Sequence, residues 1–130
     1  MKGDFKIKGT VKVFQNGKLL LQKANSIQSE SEDIIRRGLG GYTSAKITNA
    51  FILNNDTLLA EVGMSQDPEF IGTNKVKFFF HFPKYLFEGV FNKVKMGTGL
   101  GIFSVMDGFE NTKTLLQTLD IEWLIEINII

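Results

Sequence analysis

The sequence contains little of the chemistry on which most enzymes and metal sites depend. It has no cysteine, one histidine, one tryptophan and two tyrosines among 130 residues. Without cysteine, neither a disulfide nor a thiolate metal site can form, and the composition does not indicate a redox compartment. Because carbohydrate-binding grooves need exposed aromatic platforms, the scarcity of tyrosine and tryptophan also argues against that class of module.

An excess of one charge sign and a long apolar run are also missing. Fifteen basic residues stand against 14 acidic ones, which leaves a formal net charge of +1. General attraction to nucleic acid or to an anionic membrane needs a basic excess, so we expect no specific nucleic-acid partner. No apolar run approaches the ~20 residues of a membrane helix, and the first eight residues lack an apolar signal region. We therefore expect no membrane insertion, and synthesis in a cytoplasm.

The sequence does contain a large apolar fraction. Hydrophobic residues make up 43% of the chain and charged residues 22%, as is usual in globular proteins. Twelve phenylalanines supply apolar area without a polar group, which favours a packed core. A length of 130 residues suits one domain, and no linker or internal repeat divides the chain. We predict a single domain over residues 1–130.

The C-terminal segment Asp120–Ile130 carries the clearest pattern. Large apolar residues occupy the odd positions from Ile121 to Ile129, and mostly polar residues occupy the even positions. Such alternation with a period of two is typical of a strand with one buried face and one wetter face. A chain end this apolar has to be paired into a sheet, so we predict that it is the core strand of the fold.

Several other segments have strand patterns separated by turn residues. Phe5–Phe14 alternates apolar residues with lysines, and Asn16-Gly17 suits a two-residue type I′ turn before the returning strand Lys18–Lys23. Residues 57–66 are ambiguous, and the stretch around Pro68 is interpreted as a loop. Further predicted strands are Lys46–Leu53, Lys75–Phe82, Phe87–Met96 and Leu100–Met106.

One short helix is predicted near residue 30. Ser29 and Glu32 have the spacing of a capping box, and the following glycines, from Gly38 onward, end the segment. The acids precede the arginines, as the helix dipole favours. Around this helix the sequence predicts an all-β domain of about seven to eight strands, either a β-sandwich or a jelly-roll-like or barrel-like roll.

Asp120, Glu122 and Glu126 share one face of the last strand. Carboxylates two residues apart in a strand are separated by roughly 6.6 Å, a distance also found in inverting glycosidases. The simpler interpretation is a solvated strand face, because no aromatic platform accompanies the acids. His81 is the only histidine, and its strand neighbours are phenylalanines. We predict no catalytic residue, and a small hydrolase built on Asp120 and Glu122 stays a third alternative.

Two loops match ligand sites only in part. In Gly97-Thr98-Gly99-Leu100-Gly101 the third glycine comes one position early for a dinucleotide fingerprint, and no helix follows. Asn54-Asn55-Asp56 lacks the repeated ligands and the distal glutamate of a calcium loop. Both segments are interpreted as turns, so we predict no cofactor and no metal.

Some strands are apolar on both faces. Leu19-Leu20-Leu21 and Phe78-Phe79-Phe80 place large apolar side chains on each side of their strands. Strands of this kind are covered either within the domain or by a partner. Because a chain this short cannot cover every strand on both faces, we predict that Leu20, Phe79 and Leu124 contribute to a protein interface.

The order of segments resembles that of a class of small virion proteins from tailed bacteriophages. The matching pieces are Asn25-Ser26-Ile27, Ile34–Gly41, Ile47–Leu53, Leu59-Ala60-Glu61, Lys113-Thr114 and Leu119–Ile127. Each motif is short, and together they cover most of the chain from Asn25 onward. The sequence departs from the class where Asn54-Asn55 stands in place of a glycine that often closes the third strand.

The resemblance implies a non-enzymatic structural subunit of a phage particle, of the tail, baseplate, fibre or capsid-decoration type. It also implies a location in the virion after synthesis in the host cytoplasm. Such a subunit assembles through sheet edges and apolar patches, as a homo-oligomer or with other virion proteins, and needs no cofactor. The alternative is a β-sandwich module that binds a carbohydrate or another ligand.

Overall fold

The structure, a computed structural model, describes residues 5–28, 31–41 and 43–129. Within them the chain forms eleven strands, one α-helix and one short 3-10 helix. Three strands have only three residues each, and the eight longer ones match the seven to eight that the sequence predicts. The strands are β1 (Phe5–Gln15), β2 (Lys18–Ile27), β3 (Ile47–Asn54), β4 (Thr57–Gly63), β5 (Glu69–Ile71), β6 (Lys75–Phe82), β7 (Gly89–Phe91), β8 (Lys93–Thr98), β9 (Gly101–Met106), β10 (Asn111–Lys113) and β11 (Leu119–Ile129); the helices are α1 (Ser31–Leu39) and the 3-10 helix Thr43–Ala45.

Nine strands form one antiparallel sheet in the order β4-β3-β8-β9-β2-β1-β11-β6-β5, and β7 pairs with β10 in a separate ribbon. The large sheet curls back on itself at two corners. β2 pairs with β1 over most of its length, whereas its last two residues pair with β9. At the other corner Met64, just after β4, forms a bridge with Phe80 of β6. The prediction of an all-β domain with one short helix is confirmed.

β11 is an interior strand of the sheet and lies between β1 and β6. Its inward residues Trp123 and Ile125 are at most 2% exposed. Trp123 lies opposite Val11 of β1 and Phe78 of β6, which are buried as well. Burying each such side chain stabilises the fold by about 1.5–3 kcal/mol. The last strand is therefore the core strand that its alternation predicts; Ile130 lies outside the described residues.

The predicted hairpin turn and helix are both present. Asn16 and Gly17 have φ angles of 50° and 80°, and positive φ at both positions is what a type I′ turn requires. α1 ends at two glycines, where Gly41 has a φ of 90° and its N–H donates to the Gly38 carbonyl oxygen at 3.0 Å. Ser29 lies outside the described residues, so its role as a helix cap stays a prediction.

The segment predicted as one strand over Phe87–Met96 is divided into β7 and β8 at Asn92. The Asn92 side chain binds the turn between β3 and β4: its Nδ2 donates to Asn55 Oδ1 at 2.9 Å, and its Oδ1 accepts from the Asn55 N–H at 2.7 Å. This contact fixes the chain where β7 leaves the large sheet and joins β10. Gly97-Thr98 continues β8, so of the predicted turn Gly97-Thr98-Gly99 only Gly99 belongs to the observed turn, Gly99-Leu100.

The two ends of the roll differ. The loop end carries the Asn16-Gly17 turn and the β7–β10 ribbon, where Phe82, Phe87, Phe91 and Phe109 pack edge to face with ring centroids between 5.8 and 6.3 Å apart. The helix end carries α1 and the 3-10 helix. Among the described residues no helix is both long and apolar enough to span a bilayer.

Candidate functional site: an apolar cleft at the helix end

An apolar cleft with a volume of about 540 Å³ opens at the helix end of the roll. It lies between α1 and the ends of the strands, and twelve of its fourteen lining residues have apolar side chains. They include Ile34 and Ile35 of α1, Ile47 of β3, Phe78 of β6 and Ile127 of β11. Clefts of roughly 300–1,000 Å³ with apolar walls are the usual place for ligands. The apolar cleft is therefore the best candidate site in the described part of the chain.

The cleft exists because the sheet does not close at this end. β3 pairs with β4 only from Asn49 onward, and β5 pairs only with β6. Past the bridge at Met64, no strand pairing among the described residues joins β3 to β5. Ile47 of β3 and Phe70 of β5 consequently both line the open space.

Phe70 lies on the inner face of the sheet, yet it is 80% exposed. It is paired with Val76, another residue of the cleft, and Val76 shares its strand face with the buried Phe78 and Phe80. A large apolar residue on the core face is normally covered. Its exposure therefore marks the point where the fold leaves apolar surface open to a partner or a ligand.

One charged side chain lines the cleft. It belongs to Lys46, which directly follows the 3-10 helix. Glu69 of β5 does not line the cleft, because it is paired with Lys77 and so points to the sheet face opposite to Phe70. Lys46 has no hydrogen bond or ion pair with the described residues. Its charge is thus free to interact with an occupant.

The predicted interface residues lie away from the cleft, on the outer face of the sheet. Phe79 and Leu124 are neighbours there, since Phe79 lies opposite Glu122 and Leu124 lies opposite Lys77. Both are half-buried. Leu20 is 40% exposed near the loop end, and β1 and β11 separate its strand from β6. The structure therefore brings Phe79 and Leu124 together and leaves Leu20 apart, and their role in an interface stays a prediction.

The first two carboxylates of β11 are paired with basic side chains of β6. Asp120 Oδ1 lies 2.7 Å from His81 Nδ1, and Glu122 Oε1 lies 3.3 Å from Lys77 Nζ. Glu126 Oε2 accepts a hydrogen bond from Asn128 Nδ2 at 2.7 Å, which, together with the nearby Lys75, lowers the pKa of Glu126. The acids of β11 therefore belong to a charged outer face of the sheet. Cross-strand pairs on such a face contribute roughly 0.2–1 kcal/mol each to stability.

The loop that partly matches a calcium site is a structural turn. Asn55 has a φ of 54° and is bound to Asn92, and Asp56 lies 3.5 Å from Lys93 Nζ. Among the described residues no group of three or more histidine, aspartate or glutamate side chains is placed to hold a metal ion.

Sequence reasoning misses the cleft, although one signal of it is present. Phe70 and Ile71 are large apolar residues between Pro68 and Gly72, in a stretch interpreted as a loop. Apolar residues in a short loop that precedes a strong strand indicate an edge strand that folds back on it. The exposure of Phe70 itself has no sequence signature, because it depends on where β3 and β5 separate.

Comparisons with known proteins do not identify a relative of this chain. A scan against protein-family models, a search of curated protein sequences and a search of solved structures each find no match to the chain. Its function is therefore inferred from the cleft and from the apolar surfaces of the roll.

Proposed function

We propose that the protein is a non-enzymatic structural subunit of a bacteriophage particle, which assembles with copies of itself or with other virion proteins through apolar surfaces. The observation that carries this proposal is Phe70, a core-face residue that is 80% exposed beside an apolar cleft of about 540 Å³. Contiguous exposed apolar surface is typical of a protein that is buried against a partner in its working state.

A second apolar surface lies at the loop end. The backbone N–H of Tyr85 donates to the Leu115 carbonyl oxygen at 2.7 Å, and the Thr118 N–H donates to Asn16 Oδ1 at 2.9 Å. These hydrogen bonds hold the loop around Tyr85 against the loop Leu115–Thr118, and the latter against the β1–β2 turn. The exposed large apolar residues of this end include Leu19, Leu20, Tyr85, Leu86, Leu115 and Leu116. Apolar surfaces at both ends suit a subunit that contacts more than one neighbour.

The assignment to a phage particle rests on the order of short motifs in the sequence. In the fold these motifs have architectural positions: Ile34–Gly41 is the C-terminal part of α1 with its glycine end, Ile47–Leu53 is most of β3, and Trp123 lies near the centre of the core strand. Lys113 is buried at the loop end.

The second candidate function is the binding of a small apolar ligand, favoured by the volume of the cleft. A carbohydrate is the less suitable ligand, because among the described lining residues Lys46 alone has a polar side chain. Sugars need several hydrogen-bonding groups beside their aromatic contacts. The ligand alternative therefore concerns an apolar molecule.

Light scattering of the purified chain across a concentration series tests self-assembly, and mass spectrometry of purified virions tests the location. We expect an oligomer of defined mass, and peptides of the chain in a fixed ratio to those of a coat protein. A chain that is monomeric at every concentration and absent from virions would contradict the proposed function.

A further inference from the structure

We infer that the stretch of β2 from Lys18 to Ala24, here called the open edge, is a docking site for an extended strand of another protein whose side chains are apolar and acidic. The inference deepens the proposed function and rests on its premise that the chain assembles with other virion proteins. The partner strand would extend the sheet at β2 by main-chain hydrogen bonds.

β2 has a neighbouring strand on one side only over most of its length. Residues Lys18–Asn25 pair with β1, whereas on the other side only Ser26 and Ile27 pair with β9. In an antiparallel sheet every second residue turns its backbone N–H and C=O away from a given neighbour. Along the open edge these outward groups have no hydrogen-bond partner in the part of the chain that the structure describes. A row of such groups at strand spacing is the template for another strand.

Two leucines at the start of the open edge are exposed. Leu19 is 54% exposed and Leu20 is 40% exposed. Leu20 is the extra residue of a β-bulge, because Val13 is paired with Leu21 and the next residue of β1, Phe14, is paired with Leu19. Apolar side chains therefore stand beside unpaired backbone groups, and an added strand with apolar residues would cover both.

The β1–β2 hairpin is basic. From Phe5 to Ile27 the sequence has five lysines and no acid, whereas the whole chain has a net charge of +1. On β1, Lys8 and Lys12 lie opposite glutamates of β11. The lysines of β2 have only β1 as their neighbour over this length, and β1 contains no acid. The positive charge of the hairpin is thus least compensated at the open edge.

Both lysines of the open edge lack an acidic partner. Lys18 is exposed and has no hydrogen bond or ion pair with the described residues. Lys23 Nζ donates to the Gly108 carbonyl oxygen at 2.9 Å and forms no ion pair with the described residues. A strand that carries acidic side chains would supply the complementary charge and thereby fix its own position along β2.

The same charge argues against a second copy of this chain. Pairing the open edges of two copies would bring four lysines and no acid together, and like charges on facing strands destabilise a sheet. Lysine on an edge strand is a common protection against pairing with copies of the same protein. The backbone of β2 therefore calls for a strand, and its charge selects an acidic strand of another protein.

Synthetic peptides with a fluorescent label test the inference by anisotropy titration. The first peptide alternates glutamate with valine, and the second has lysine in place of glutamate. We expect the glutamate peptide to bind at least about tenfold more tightly than the lysine peptide. A third peptide is the glutamate peptide with every backbone nitrogen methylated. It keeps the charge but cannot donate main-chain hydrogen bonds, so we expect its binding to be weaker by at least about tenfold as well.

Two pairs of variants locate the binding of the glutamate peptide. Lys18→Glu should weaken binding at least about fivefold, whereas Lys46→Glu, the same charge change at the helix end, should leave it unchanged. Leu19→Ser should weaken binding, whereas Leu58→Ser should not, because Leu58 is 52% exposed on β4. All four side chains are exposed, so the variants should stay folded, which circular dichroism can verify.

Amide hydrogen exchange followed by NMR identifies the edge that the peptide occupies. We expect the glutamate peptide to slow exchange at the outward amides of Lys18–Ala24. Slower exchange at β4 or β5 instead, or equal affinity for the methylated and unmethylated peptides, would overturn the inference. So would an oligomer of the chain alone that Leu19→Ser dissociates, since a second copy would then occupy the open edge. Mass spectrometry of virions decides the proposed function separately, because it does not depend on how the chain is held.

Discussion

The ammonium group of Lys113 lies 2.8 Å from the backbone carbonyl oxygen of Phe87, inside the loop end of the roll. The lysine is 1% exposed, donates a second hydrogen bond to the Thr114 carbonyl oxygen at 3.1 Å, and lies 4.6 Å from the centre of the Phe87 ring. These contacts tie β10 to the loop before β7. They also hold a cation out of water, and this burial lowers the pKa of Lys113.

The lowered pKa of Lys113 makes stability depend on pH in the alkaline range. Below the folded-state pKa, both states bind the proton, and the folded state carries the full penalty of the buried charge. As the pH rises from that pKa towards the ordinary value of 10.5, the folded state releases its proton first, so the free energy of unfolding gains a rising contribution. We expect urea unfolding between pH 7 and 10 to show this rise in the wild type relative to Lys113→Met.

The variant Lys113→Met is the matched control because it fills the same space without a titrating group. If the difference in unfolding free energy between the two proteins were constant across this pH range, Lys113 would have the same pKa in the folded and the unfolded state. Burial would then not lower the pKa of Lys113.

Glu126 gives a pH dependence of the opposite sign. The Asn128 hydrogen bond, and then Lys75, lower the pKa of its carboxyl below the ordinary value of 4.5. Its contribution to stability is complete above that ordinary value and is lost as the pH falls through the folded-state pKa. We expect the wild type to lose more unfolding free energy than Glu126→Gln between pH 6 and 3. Parallel pH profiles would show that these contacts add nothing to stability.

Gly9 of β1 makes room for the side chain of Asn25, its neighbour on β2. A methyl group added at Gly9 would overlap the Asn25 side-chain oxygen, whereas at Gly63 the nearest atom would be 3.8 Å away. We expect Gly9→Ala to lower the free energy of unfolding by about 1–3 kcal/mol, as overpacking does, and Gly63→Ala to have much less effect. Chemical denaturation of both variants provides the measurement.

The variant Asn25→Ala tests whether Gly9→Ala destabilises the fold through the overlap with Asn25 or by weakening β1 in another way. The Asn25 amide atoms are buried and have no hydrogen-bond partner in the described part of the chain. Removing the amide should therefore recover most of the stability that Gly9→Ala loses, giving a clear coupling energy in a double-mutant cycle. Additive effects of the two changes would rule out the overlap as the cause.

The features that the sequence predicts correctly are those encoded by neighbouring residues. The alternation around Trp123 is sufficient to place the last strand in the core, because a period of two commits every second side chain to one face. Asn16-Gly17 encodes its turn through the φ angles that asparagine and glycine tolerate. The short helix follows from its charge order and its terminal glycines.

The features that the sequence does not predict depend on distant parts of the chain. Phe70 is exposed because β3 and β5 separate, and this is decided by pairings between residues far apart in sequence. Lys113 is buried because its own strand β10 pairs with β7 and brings its ammonium group to the Phe87 carbonyl oxygen, although lysine is normally a surface residue. Phe79 and Leu124 could be assigned to one sheet, but only the register shows that charged pairs surround them.

The two corners of the sheet are narrow seams in backbone pairing. One seam consists of the last two residues of β2 against β9 with the hydrogen bond from Gln28 to Phe103, and the other of the bridge between Met64 and Phe80 with the adjoining hydrogen bond. Few hydrogen bonds therefore join the two half-sheets, and the apolar core that they share, with Phe103 from one half and Ile125 from the other, is what chiefly holds the roll closed.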